Sequence, residues 1–171
     1  MVEFMVLSAP RSASTWAANW LTTEKTLCLH DPVLEHYPED LDTIACDRAL
    51  GVACTGLALL PDFLRLHGAR KVIIHRPLHE IDDSLEHIGL TKLGSQWQTA
   101  LDKIGGFHVF YDDLFDIKEA AGIYEYLTRQ RFDAARYQQL VAMHVEPNFG
   151  KVKIKPDRAR AFRDRIQRAF T

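Results

Sequence analysis

Two stretches of this chain carry the residue types that hold anions. The first is Ser8-Ala9-Pro10-Arg11-Ser12-Ala13-Ser14-Thr15-Trp16, which follows an apolar run from Val2 to Leu7 and opens into a helical pattern. A buried strand ending at Leu7, then a tight turn of small residues at Pro10, would aim several backbone N–H groups at one point. That point lies at the positive end of the next helix's dipole. Arg11 adds a forked cation, and Ser12, Ser14 and Thr15 add hydroxyls. A phosphate-like oxyanion fits such a cradle; a Ser-rich helix cap is the plainer alternative. The nucleotide-loop pattern G-x-x-x-x-G-K-[ST] is absent, because the turn has neither glycine nor a Lys-Ser/Thr pair.

The second stretch runs from Lys71 to Ser84. Lys71-Val72-Ile73-Ile74-His75 reads as a buried parallel strand, and Pro77 suits the first turn of a helix, where its missing N–H costs nothing. Arg76 therefore falls at the carboxyl end of a strand, the edge where open α/β sheets bind ligands. Ser84, about two turns into the helix, can face the same side. The competing reading of Arg76 is a surface ion pair with Asp82 or Asp83.

The elements that must position these residues alternate. Hydrophobic periodicity predicts strands over 2–8, 26–29, 51–55, 71–75 and 107–110, and helices over 14–23, 39–47, 60–67, 77–88, 92–103, 117–129 and 133–142. That alternation implies a parallel sheet covered by helices on both faces, a three-layer α/β arrangement. No repeat or low-complexity segment interrupts it. At 171 residues the chain reads as one domain, 1–171. The segment from Gly89 to Gly106, with Trp97, is either a lid over the pocket or a packing helix.

With these motifs in place the chain resembles the sulfotransferase family. Pro10-Arg11-Ser12-Ala13-Ser14-Thr15-Trp16 is similar to that family's 5′-phosphosulfate loop, P-[KR]-S-G-[TS]-T-[WL], and the Arg76…Ser84 spacing is similar to its 3′-phosphate motif. Leu59-Leu60-Pro61-Asp62-Phe63-Leu64 and Phe110-Tyr111-Asp112-Asp113-Leu114 resemble two weaker family stretches, in the same order. The resemblance runs from residue 2 to roughly 142. It implies a compact, divergent member with a P-loop NTPase-like sulfotransferase fold. It also implies 3′-phosphoadenosine 5′-phosphosulfate (PAPS) as co-substrate and a hydroxyl or amine as acceptor of the sulfuryl group. Arg11, Ser12, Ala13, Ser14 and Thr15 would hold the 5′-phosphosulfate, Trp16 would stack on adenine, and Arg76 and Ser84 would hold the 3′-phosphate. Trp16 read alone is equally a core aromatic.

Sulfuryl transfer builds charge on the leaving phosphate and the sulfuryl oxygens, so fixed cations such as Arg11 and N–H donors are the useful groups. A base must also take the acceptor's proton. The family's K-T-H-L histidine falls at Cys54-Thr55-Gly56-Leu57, and Gly56 cannot be a base. Ala13 likewise stands where the family has glycine. Other family branches place an acidic residue after the second strand. Asp31 occupies that position here, so the expectation is Asp31 as base with His30 positioning the acceptor; a polar turn closing the strand is the alternative. A protein that kept the cradle and lost catalysis, and a small nucleotide kinase, are the other two readings. The missing Gly-Lys-Ser/Thr opposes the kinase.

Composition restricts the class further. Net charge is −2, and the eight His and three Cys show no metal-ligand spacing, so no metal is expected. Cys28, Cys46 and Cys54 are odd in number and lack CxxC spacing, which fits reduced thiols in a cytoplasm. Cys54 lies either near the acceptor pocket or, as a small hydrophobe, in the core. No apolar run reaches the length of a membrane span, and the first residues read as a strand rather than a signal peptide. The tail changes character: residues 151–171 hold eight Lys or Arg against two Asp, and that +6 leaves −8 for residues 1–150. A basic helix is expected from Pro156, with a solvated face balancing the acidic body as the plainer alternative. The resemblance implies a late basic, Gly-containing loop that completes the 3′-phosphate site; Asn148-Phe149-Gly150-Lys151-Val152-Lys153 is its candidate, with Lys151 and Lys153 as the ligands. Aromatic residues do not interleave the charges in the way a single-strand groove requires, which argues against a nucleic-acid partner. An oligomer remains open, as does the identity of the acceptor.

Overall fold

The computed structural model describes residues 1–143. Lys151, Lys153 and the basic segment 151–171 lie outside the described residues. Five strands, β1 (Val2–Ser8), β2 (Thr26–His30), β3 (Ala49–Cys54), β4 (Arg70–His75) and β5 (Phe107–Phe110), form one all-parallel sheet in the order β2-β3-β1-β4-β5. Six α-helices are described: α1 (Ser14–Leu21), α2 (Pro61–Leu66), α3 (Leu78–His87), α4 (Gln96–Asp102), α5 (Ile117–Thr128) and α6 (Ala134–Ala142). Among the described residues no helix is long and apolar enough to cross a membrane.

Strand order decides which helix covers which face. The β1–α1–β2 crossover runs toward the β2 edge, whereas the later connections run toward β5. Right-handed crossovers then place α1 on one face and α2, α3 and α4 on the other. The core divides accordingly. Trp16, Trp20 and Leu21 of α1 pack with Ile123, Tyr124 and Leu127 of α5 and with Tyr137 of α6. Leu64, Ile81, Leu85 and Leu101 of α2–α4 pack with Leu7, Val52 and Ile73 on the opposite side. β1 is central and buried along nearly its whole length, which is why it reads as a continuous apolar run. Gly51 of β3 has a packing reason: a Cβ there would sit 2.0 Å from the buried Phe4 ring, its register partner.

Two expected helices differ. The helix expected over 39–47 is a 3-10 segment, Pro38–Thr43, followed by irregular chain. Side chains there take other partners instead of leaving the backbone to propagate: Thr43 Oγ1 donates locally to the Asp40 carbonyl, and Asp42 reaches the distant Val2 N–H at the start of β1. The helix expected over 92–103 shortens to α4, because Asp82 accepts the Leu93 N–H and holds the preceding turn against α3. A 3-10 segment, Gly56–Leu59, also precedes α2. In the Gly89–Gly106 stretch, α4 buries Ala100 and Leu101, and Trp97 packs against the core; it is a packing helix.

Candidate functional site

β1 and β4 are neighbours, yet the chain leaves them in opposite directions. The segments after their carboxyl ends therefore diverge and leave a crevice, the place where open α/β sheets take ligands. A cavity of about 510 Å³ opens there, within the roughly 300–1,000 Å³ of small-molecule sites. Its polar lining comes from Arg11, Ser14, Thr15, His30, Asp31, Thr55 and Arg76.

The turn after β1 takes a left-handed path at two non-glycine residues, Arg11 (φ 61°) and Ala13 (φ 64°). Each such residue costs about 1–2 kcal/mol. Ala13, standing where the resembled family has glycine, adopts the conformation glycine would take without strain. α1 starts directly afterwards, with the Ala17 N–H bonded to the Ala13 carbonyl at 2.8 Å and no side-chain cap on its first turn. The helix thus presents its positive end, with Ser14 and Thr15, to the cavity.

The second expected corner meets the first. Arg11 Nε donates to Ser84 Oγ at 2.8 Å, and Arg76 Nη1 donates to the Arg11 carbonyl. The Arg76 guanidinium carbon lies 4.2 Å from the Tyr111 ring centroid. Its ion-pair partner is Glu80, at 3.1 Å, rather than Asp82 or Asp83. Glu80 is one turn into the helix after Pro77, at the i+4 spacing that brings side chains together.

A third corner is made by the end of β2. Asp31 is also left-handed (φ 43°), a conformation its short polar side chain tolerates. Its N–H continues the ladder to the Ala53 carbonyl at 2.9 Å, and its Oδ1 accepts from the Thr55 N–H at 2.8 Å and the Thr55 hydroxyl at 3.2 Å. Oδ2 lies 3.3 Å from His30 Nε2, which is itself 3.1 Å from both Ser14 Oγ and Thr15 Oγ1. One ring nitrogen thus stands between a fixed carboxylate and the hydroxyls of the cradle. Beneath this corner Cys54 is fully buried; burial, then the Asp31 charge, pushes its thiol well above the usual range. It stays a neutral core residue rather than a nucleophile.

The remaining expected ligands fare differently. The Ser12 side chain is buried and points to the Pro10 carbonyl, at 3.5 Å, so it does not line the cavity. Trp16 is 7 % exposed, packed against Trp20, Phe115 and Tyr137, with only an edge at the cavity. The apolar wall is completed by Leu85, Leu90, Phe115, Val141 and Met143, which sequence reasoning did not single out, and by Tyr111. Thr55 and Tyr111 fall in stretches that bear on the resemblance without a site role, and each directly follows the carboxyl end of a strand, a signal that could have assigned them one. No group of three or more His, Cys, Asp or Glu among the described residues is arranged to hold a metal. Neither a scan against protein-family models nor a search of curated proteins found a match to this chain.

Proposed function

We propose that this chain binds PAPS and transfers its sulfuryl group to a hydroxyl or amine acceptor. The observation that carries the reading is that Arg76 lines one cavity together with the Pro10–Trp16 turn and bonds to the Arg11 carbonyl, while Ser84, behind the lining, bonds to the Arg11 side chain. Two anion-holding motifs that are distant in the chain are thus available to a single ligand. The resemblance of those motifs to the sulfotransferases, in family order, selects PAPS among nucleotides.

In this reading Arg11, Ser14, Thr15 and the first-turn amides of α1 hold the 5′-phosphosulfate, while Arg76 and Ser84 hold the 3′-phosphate. The apolar wall near Tyr111, Phe115 and the edge of Trp16 receives the base. In the transfer, the acceptor oxygen or nitrogen bonds to sulfur as the bond from sulfur to the bridging phosphate oxygen breaks, and the acceptor's proton must leave. Asp31 and His30 are the groups placed to take it. Thr55 fixes one Asp31 oxygen, and the other stands beside His30 Nε2. Asp31 is assigned as the base, with His30 positioning the acceptor.

A second reading is favoured by one residue. Gly56 stands where the resembled family has its catalytic histidine, so a protein that binds the nucleotide without turning it over fits the same cradle. Calorimetry with 3′-phosphoadenosine 5′-phosphate (PAP), ADP and ATP tests the shared part. PAP should bind at least about tenfold more tightly than either, the worth of one charge-assisted contact to its extra phosphate. Equal or tighter ATP binding would overturn both readings in favour of a kinase-like site. Release of PAP from PAPS in the presence of candidate acceptors then separates enzyme from binder.

A further inference from the structure

Arg76 grips the cradle's backbone as well as facing the cavity. Its Nη1 donates to the Arg11 carbonyl, its Nε is bonded to Glu80 Oε2, and its plane lies over Tyr111. Three separate segments therefore fix one guanidinium: the turn after β1, helix α3, and the chain after β5. The residue it grips is left-handed, and so is Ala13 two positions on. Such backbone persists only where its surroundings over-determine it. Ser84 supplies the rest of the grip, holding the Arg11 side chain at 2.8 Å. The segment from Arg76 into α3 thus holds Arg11 by its main chain and by its side chain.

We propose that Arg76, itself fixed by Glu80 and Tyr111, is a positioning residue that keeps the Pro10–Trp16 turn in its strained, anion-binding shape. The two phosphate corners are then one mechanical unit. Loss of Arg76 weakens binding of a 5′-phosphate even in a ligand that has no 3′-phosphate. Glu80 takes Nε and the Arg11 carbonyl takes Nη1, which leaves Nη2 toward an anion, so Glu80 is a holder of Arg76 and not a competitor.

The test has two arms on the full chain, and only the second rests on the nucleotide reading. In the first, hydrogen–deuterium exchange is followed in the peptide covering residues 9–17. Arg76→Ala should speed exchange there about tenfold, with β2 and α5 unchanged, and Glu80→Gln should act in the same direction but less. Adding Ala13→Gly to Arg76→Ala should recover much of the protection, because glycine takes positive φ without strain; a general loss of packing would not be rescued in this way. In the second arm, AMP, which has only the 5′-phosphate, should bind Arg76→Ala about tenfold more weakly. Unchanged exchange in residues 9–17 overturns the proposal, as does unchanged AMP affinity alongside weakened PAP. Tighter PAP binding by Glu80→Gln would also overturn it, since Glu80 would then be a competitor. If Arg76→Ala does not fold, Glu80→Gln alone decides. If wild type binds neither AMP nor PAP, the nucleotide reading fails and the exchange arm still judges the strut.

Discussion

The two edges of the sheet differ in what their polar groups are gathered around. At the amino edge Lys71, Arg48 and Asp42 each close on partners within the fold. Lys71 Nζ donates to the His67 and Ala69 carbonyls, Arg48 Nη1 to the Thr23 carbonyl at 3.0 Å, and Asp42 takes both the Val2 N–H at 2.6 Å and His67 Nε2 at 3.3 Å. At the carboxyl edge Arg11, Ala13 and Asp31 are all left-handed, and two arginines line a cavity together with hydroxyls gathered on one imidazole nitrogen. The difference separates polar groups that serve folding from those arranged around a ligand, and removing a group from each edge should have different consequences.

The largest effect is expected at the carboxyl edge and should leave stability almost untouched. Asp31→Asn keeps an oxygen to accept from Thr55 but removes the charge beside His30. Sulfuryl transfer should fall by about 10²–10⁴-fold, the usual worth of a positioned proton acceptor, while PAP affinity and melting temperature stay near wild type. Undiminished turnover would remove Asp31 from the chemistry.

The converse belongs to α1, whose two ends lie at opposite edges. Arg136 of α6 donates to the carbonyls of Asn19, Trp20 and Thr22, closing the carboxyl end of α1 with a cation where the helix dipole is negative. Arg136→Ala should cost about 1–2 kcal/mol in denaturant unfolding. Arg136 itself does not line the cavity, so nucleotide affinity should change far less than stability does, by no more than the loosening of Val141 on α6 allows. A variant that loses binding and keeps its stability would erase the contrast between the edges.

Much of this architecture was legible in the chain. β1 and β4 announce themselves as apolar runs, and the rule that ligands sit at carboxyl ends places Arg11 and Arg76 on the same side from sequence alone. Sequence could not say that Arg11 would reach Ser84 or that Arg76 would choose Glu80 over Asp82. Those outcomes depend on the helix's rotation against the sheet, which packing of Ile81 and Leu85 decides. The helix expected over 39–47 failed for one local and one distant reason, Thr43 bonding to the Asp40 carbonyl nearby and Asp42 to the Val2 N–H of β1. Trp16 was ambiguous in principle, since an aromatic at the start of a helix can face either the core or the ligand, and the neighbouring Trp20 and Tyr137 draw it mostly inward. Ala13 carried a usable signal: a residue in a glycine position predicts strain if the turn keeps its shape, and its φ is positive.

The smallest effect distinguishes the edges by pH. Beside the cavity, at the end of β4, His75 Nε2 and His108 Nδ1 are 2.8 Å apart, and His108 Nε2 is 2.8 Å from the Ile104 carbonyl. The carbonyl can only accept, so His108 carries its proton on Nε2 and His75 donates to Nδ1. Burial and then His108 hold His75 below its ordinary 6.5, with Asp102 opposing them. A histidine whose folded value is depressed contributes stability above 6.5 that is lost as pH falls through the folded value. At the amino edge Asp42 also titrates low: burial alone would raise it, but the Val2 N–H and His67 outweigh that, so its contribution disappears only on further acidification, below 3.8. Wild type should therefore lose melting temperature in two separate windows. His75→Asn should flatten the first, between pH 7 and 5, by roughly 2 °C, and Asp42→Asn should affect only the second. A His75→Asn chain with the same slope as wild type between pH 7 and 5 would show that the imidazole pair opens on protonation at no cost, and the carboxyl edge would then be softer than its hydrogen bonds imply.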